Sequence, residues 1–258
     1  MSPLVPGQEP DAITTGSIGG RPILAFDTAT TVAVMALGDA TGSIRAETAW
    51  SAGYRHGEEL LGRIDELLAG AAASLGSLDG IVVGIGPGAF TGLRVGIATA
   101  KGLASGLGIP IVGVPTRQAL QLAAERVLAG AAVGARTSDP VEEPVRPIAL
   151  LLPAGPSDRL LVEPAAGPTI LVPGGTEAPI GPGWTVAAID LEERAPAEAL
   201  ALGTRARQGL AAALLEIGAA RLAAGRSSDL ATLIPEYVTL PRGVRAEVGG
   251  VTWSHDPR

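Results

Sequence analysis

Two short runs hold residue types that could handle a phosphate or a metal ion. In the first, Asp27 closes an apolar run and is followed by Thr28, Ala29, Thr30 and Thr31. An acid at the end of a strand, followed by hydroxyls, is a donor set suited to phosphate oxygens, with the carboxylate left to hold a metal ion or orient water. The same residues also make an ordinary turn. In the second run, Gly86, Pro87 and Gly88 turn the chain, Thr91 stands where a side-chain oxygen would cap a helix, and Arg94 lies one turn further on. Amides at such a helix start can bind an anion. Asp27, Thr28, Gly86, Gly88, Thr91 and Arg94 are therefore the candidate phosphate or anion set. The run matches neither nucleotide fingerprint: G-x-G-x-x-G needs glycine where Thr91 stands, and G-x-x-x-x-G-K-[ST] needs lysine where Leu93 stands.

Other chemistries are excluded more directly. The chain has no cysteine, which removes disulfides, thiolate metal sites and a cysteine nucleophile. A zinc pair of the H-x-x-x-H kind starting at His56 would need histidine where Leu60 stands, and the second histidine is the distant His255. We expect no metal site and assign no catalytic residue. A net charge of -7 argues against general affinity for phosphate backbones, so RNA would be met through a partner that supplies positive charge. No apolar segment reaches the roughly 18 residues of a membrane span. Residues 1–20 have neither a basic start nor a hydrophobic stretch; we read them as a disordered leader and take a cytoplasmic location as the default. Lys101 is the single lysine among 19 basic residues.

The elements that would position these runs follow from periodicity. Residues 23–27, 32–37 and 43–50 read as three strands joined by a turn and a hairpin. Residues 57–73 form a helix, with Leu60, Leu61, Ile64, Leu67, Leu68 and Ala71 on one stripe. A buried strand over 81–85 precedes the glycine turn, a helix spans 92–107, and residues 109–114 and 116–128 add another strand and helix. The stretch 129–145, rich in Gly, Pro and charge, is the expected lobe boundary. Strands at 146–152, 159–162 and 185–189 follow, with mostly loop over 165–183 and alanine-rich helices over 196–224. No internal repeat is legible. The expected organisation is a leader (1–20), a first lobe (21–129), a smaller second lobe (146–245) and a tail (246–258).

Within helix 92–107, Gly92, Gly96, Ala100 and Ala104 recur every four residues and share one face. Interior helical glycine costs about 1 kcal/mol against alanine, so something must pack close to this face. Its own sheet is one candidate and a second protein is the other.

The segments ILAFDTATTVAVMAL (23–37), HGEELLGRIDELL (56–68) and GIGPGAFTGLRVGIATAKGLASGLGIPIVGVPT (84–116), with the closing LIPEYVTLPRGVR (233–245), resemble the bacterial TsaB (YeaZ) family. The resemblance implies a two-lobed α/β fold of the actin/Hsp70/sugar-kinase, ribonuclease H-like type with a reduced second lobe. It implies a noncatalytic scaffold or activator, not an enzyme, that binds a TsaD-like catalytic subunit in threonylcarbamoyl transfer to adenosine 37 of tRNA. A TsaE-like ATPase would join the complex, tRNA would be met only within it, and the chain alone would form a homodimer. The resemblance puts the partner surface on helices 57–73 and 92–107, here His56, Leu60, Ile64, Leu67, Gly92, Leu93, Gly96, Ala100, Leu103 and Ala104. It implies no cofactor of the chain's own beyond ATP or ADP with magnesium at the interlobe cleft or in the complex. The competing reading is an ATP-hydrolysing or phosphoryl-transfer enzyme of the same superfold, in which Asp27 and Thr28 would act on phosphate. The family's Asp-Ala-Arg segment is replaced here by Leu152, Pro153, Ala154, so we expect a diverged second lobe.

Overall fold

The structure is a computed structural model that describes residues 14–15, 20–51, 56–134, 146–237, 244–247 and 250–253. Most of the expected leader, the remainder of the expected boundary over 135–145, and His255 lie outside the described residues.

Strands β1 (Thr14–Thr15), β2 (Ile23–Asp27), β3 (Val32–Gly38) and β4 (Ile44–Ser51) lead to helix α1 (His56–Gly70). Then come β5 (Gly80–Gly84), α2 (Phe90–Leu107), β6 (Ile111–Val114) and α3 (Thr116–Gly134). The second half holds β7 (Ile148–Pro153), β8 (Arg159–Val162), β9 (Thr169–Val172), β10 (Thr185–Ala188), α4 (Ala197–Gln208) and α5 (Leu210–Ala223). A hairpin of β11 (Val244–Glu247) and β12 (Gly250–Trp253) ends the described chain.

The first sheet has the order β1-β4-β3-β2-β5-β6, antiparallel from β1 to β2 and parallel from β2 to β6. The second has the order β10-β7-β8-β9, with β7 parallel to β10 and antiparallel to β8. Read as β4-β3-β2-β5 and β9-β8-β7-β10, the two sheets share one strand order and the same pattern of directions. A repeat that is not legible in the residues is therefore present in the topology.

Pleating divides the strands between layers. Leu24, Phe26, Met35, Ile81 and Val83 face a core shared with α1 and α2, while Ala25, Val34, Ala36 and Val82 face the opposite core. Ile148, Leu150 and Leu152 of β7 enter that same opposite core together with residues of α3 and α5, so these helices lie between the sheets. Helix α5 packs on β2, β3, β5 and β6. β2 and β5 are thus covered on both sides, which is why their sequences run apolar instead of alternating.

Several expectations need correction. Thr14 and Thr15, placed in a disordered leader, pair with Glu47 and Ala46 on the outer edge of β4. Helix α3 continues to Gly134, through the first residues of the expected boundary, because Ala129–Gly134 contains no proline to stop it. Strand β9 lies inside the stretch expected to be loop, and β12 inside the expected tail. Among the described residues, no helix is long and apolar enough to cross a membrane.

Candidate functional site

The Asp27–Thr31 turn and the Gly86–Gly92 turn meet at the C-terminal ends of β2 and β5, and each uses up the other's polar groups. Asp27 Oδ1 accepts the Ala29 amide at 2.6 Å, and Oδ2 accepts the Thr116 hydroxyl at 2.6 Å. The Thr116 hydroxyl in turn accepts the Gly86 amide at 3.0 Å, and the Thr116 amide donates to the Gly86 carbonyl at 2.7 Å. The carboxylate is fully buried, and burial raises its pKa despite the hydrogen bonds from Thr116 and Ala29, which act in the opposite direction. A Cβ at Gly84 would lie 1.7 Å from Asp27 Oδ2, so only glycine leaves room for this carboxylate.

Several other members of the candidate anion set also pack or bond within the protein. The Thr28 hydroxyl donates to the Gly92 carbonyl at 2.7 Å. The Ala89 amide donates to the Ala29 carbonyl at 2.7 Å, and a Cβ at Gly88 would come within 2.2 Å of that oxygen. Gly86 takes φ of 101°, a left-handed conformation natural to glycine. Thr91 is not the cap: α2 begins at Phe90, Ala89 occupies the cap position, and no side chain caps it. Arg94 does not point at the turn. Its guanidinium lies 3.8 Å above the Phe90 ring, and Nε donates to the Tyr237 hydroxyl at 3.0 Å. The Thr28 and Thr116 hydroxyls and both oxygens of the Asp27 carboxylate make hydrogen bonds within the protein. Asp27 and Thr28 thus act as a clasp that holds the two turns together. Among the described residues, no three His, Asp or Glu side chains converge as metal ligands would.

The small-residue face of α2 is also corrected. Gly92, Leu93, Gly96, Ala100 and Ala104 are buried against the protein's own sheet. A Cβ at Gly96 would lie 2.3 Å from Thr28 Oγ1. Leu60, Ile64 and Leu67 are buried in the core beneath α1, and Leu103 packs half-buried against it. None of these buried side chains can touch a partner. Periodicity identified a face that must be packed closely, and the packing is intramolecular. His56 is the first residue of α1, and its side chain lies outside the described residues.

The outward faces of α1 and α2 carry different residues. Leu61 is 55% exposed and Phe90 is 38% exposed. Gly62, Ala98, Gly102, Ser105 and Gly106 are exposed, and a Cβ at Gly62, Gly102 or Gly106 would meet nothing within 4 Å. Beside the start of α2 lies a segment, 228–237, whose second half opens the closing run 233–245. Its Ser228 amide donates to the Ile111 carbonyl at 2.7 Å, and its hydroxyl accepts the Gly113 amide at 3.0 Å, closing the edge of β6. Lys101 donates to the Leu233 carbonyl at 3.3 Å, the Glu236 amide donates to the Ile85 carbonyl at 2.7 Å, and Arg117 pairs with Glu236 at 3.0 Å. The lone lysine thus anchors this strap.

Two sheets that share one strand order, with helices between them, make a two-lobed α/β fold. A solved structure described as YeaZ from Pseudomonas aeruginosa has this fold: it aligns with 85% of this chain and 100% of its own, with a TM-score of 0.60 and 22% identity. The family model for TsaD, the tRNA N6-adenosine threonylcarbamoyltransferase, matches residues 50–138. The Escherichia coli tRNA threonylcarbamoyladenosine biosynthesis protein TsaB is 37% identical over 94 residues, covering 36% of this chain and 40% of that protein. Its Haemophilus influenzae counterpart is 41% identical over 69 residues, covering 27% of this chain and 29% of that protein. Over these stretches the chain is similar to the TsaB (YeaZ) proteins. The alignments span about a third of the length of the curated relatives it matches.

Proposed function

We propose that the protein is a noncatalytic subunit in the synthesis of threonylcarbamoyladenosine in tRNA, docking a TsaD-like catalytic subunit on the outward faces of α1 and α2. The observation that carries this reading is the set of open glycines on those faces. Gly62, Gly102 and Gly106 have no neighbour within 4 Å of a would-be Cβ, so the monomer gains no packing from them. Each costs about 1 kcal/mol of helix stability against alanine. A helix of a partner lying close over this surface offsets that cost, with Leu61 and Phe90 as apolar contacts at its margins. The biosynthetic role named for the TsaB relatives and the TsaD family match over 50–138, which spans both helices, support the choice of partner.

On this reading the chemistry belongs to the partner, the same face takes a second copy when the partner is absent, and a TsaE-like ATPase joins the assembled pair. The net charge of -7 leaves contact with tRNA to the other subunits. The test is to mix the protein with a TsaD-like subunit from the same source and measure both co-elution and tRNA modification. Gly102→Leu should leave the monomer folded and abolish co-elution and modification. A Gly102→Leu protein that binds and activates normally would refute the proposed surface, and modification that proceeds equally without this subunit would refute the function.

A further inference from the structure

Arg94, on the first turns of α2, is a cation held in place and left without an anion. Its guanidinium lies 3.8 Å from the centroid of the Phe90 ring and 5.9 Å from that of Tyr237, and Nε donates to the Tyr237 hydroxyl at 3.0 Å. The two rings pack on each other at 5.4 Å with an interplanar angle of 34°. Stacking and the Nε bond leave Nη1 and Nη2, which make no hydrogen bond or ion pair among the described residues. Those two groups are the end of the guanidinium fork, whose geometry matches the two oxygens of a carboxylate.

Three features separate Arg94 from an ordinary surface arginine. A free arginine loses rotamer freedom when it binds, whereas one already stacked and bonded has little left to lose. The chain has 26 acidic residues against 19 lysines and arginines, and Arg117, Arg126 and Arg207 each pair with one of those acids. Arg94 has none, although carboxylates are in excess. The cluster also sits on the surface: Arg94 is exposed, Phe90 is 38% exposed and Tyr237 is 39% exposed. A docked surface would cover both rings and shield the fork between them from water, which strengthens a charged pair there.

We propose that Arg94, clamped by Phe90 and Tyr237, is the charged anchor of the docking surface and receives the carboxylate of an aspartate or glutamate of the catalytic subunit on its two free Nη groups. The proposal rests on the docking proposed for α1 and α2 and adds the chemistry that the partner must present there. A nucleic-acid phosphate would bring its neighbours' charges against a chain of net charge -7, whereas a single carboxylate brings only its own.

The test is titration calorimetry of the full chain with the TsaD-like subunit from the same source, at low and high salt, with thermal midpoints to show that each variant is folded. Arg94→Gln should weaken binding by about ten-fold or more and flatten its salt dependence. Arg94→Lys keeps the charge but not the fork, and Tyr237→Phe keeps the arginine but frees it; each should weaken binding by about three-fold or more. Arg94→Glu should bind no better than Arg94→Gln. Among variants of the catalytic subunit with single surface aspartates or glutamates replaced by arginine, one should restore the affinity of Arg94→Glu. Gly102→Leu separates the two proposals: if it abolishes binding while Arg94→Gln binds as the wild type does, this inference alone is overturned. If both variants bind as the wild type does, the docking surface falls and this inference with it. An Arg94→Gln protein that binds the subunit normally but weakens the hold of the assembled pair on tRNA would give the guanidinium to a phosphate and overturn the proposal.

Discussion

Gly96→Ala tests most directly whether the small-residue face of α2 is an internal seam. The added methyl would sit 2.3 Å from Thr28 Oγ1 and 3.5 Å from Thr28 Cβ. The second distance is ordinary contact and the first is not, so the hydroxyl must move by about an ångström, and its 2.7 Å bond to the Gly92 carbonyl must break. Overpacking of this kind costs about 1–3 kcal/mol. A buried hydroxyl left without a partner costs about 1–3 kcal/mol more. Alanine returns about 1 kcal/mol through helix propensity. The net expectation is a loss of about 1–5 kcal/mol, set against the roughly 5–15 kcal/mol that holds a domain folded. Urea denaturation should show a lower midpoint at unchanged slope. The clash is with one atom, so the cost should nearly vanish in a Thr28→Ala background, leaving a coupling energy about as large as that cost in the double-mutant cycle. A Gly96→Ala protein as stable as the wild type, or a cycle without coupling, would refute the reasoning and reopen the inner face as a surface.

The outer glycines should respond in the opposite way: Gly102→Ala, with open space around it, should raise stability by about 0.5–1 kcal/mol in the isolated chain, and a loss in the same urea titration would mean the position is packed. Asp27 gives a pH test. Burial raises its pKa above the ordinary 3.8, so its contribution to stability is full below that value and is lost as pH rises through the folded-state pKa. Asp27→Asn does not titrate there, so the thermal midpoint of the wild type relative to the variant should fall with rising pH across that window; a relative rise would contradict the burial argument. Asp39 has the opposite sign, because hydrogen bonds from Thr41 and Ser43 lower its pKa; Asp39→Asn should cost stability at neutral pH, and the difference should shrink as acid protonates the wild type below 3.8. Truncating Leu233, which anchors the strap in the core beneath α2, should cost about 2–5 kcal/mol. Amide exchange at Ser228 and Glu236 should quicken in Leu233→Ala beyond the change elsewhere, and uniform quickening would show that the strap is not a separate unit.

Local pattern made much of the first lobe legible. Strands β2, β3 and β4 and helices α1 and α2 fall within a few residues of where periodicity puts them, because their apolar residues follow the period of the face they bury. Strand β9 was missed because only Val172 of its four residues is buried, and it lies among prolines and glycines that read as loop. The duplicated topology was hidden for a related reason: strand order depends on pairing partners distant in the chain, and equivalent strands need share only apolar character.

The candidate site divides along the same line. The residues alone established that the Asp27 and Gly86 turns hold polar groups next to backbone that must pack closely, and that helix 92–107 has a face demanding close contact. They also established the resemblance to the TsaB family, since that rests on contiguous segments. Only the tertiary structure decided where those demands are met: Asp27 on Thr116, Gly96 on Thr28, and Thr31 on Asp190, pairs 89, 68 and 159 residues apart. A hydroxyl or carboxylate has the same letter whether it faces solvent, a ligand or its own backbone. What it bonds to is fixed by which distant segment the fold brings within about 3 Å, and that distance is a property of the assembled sheets and helices.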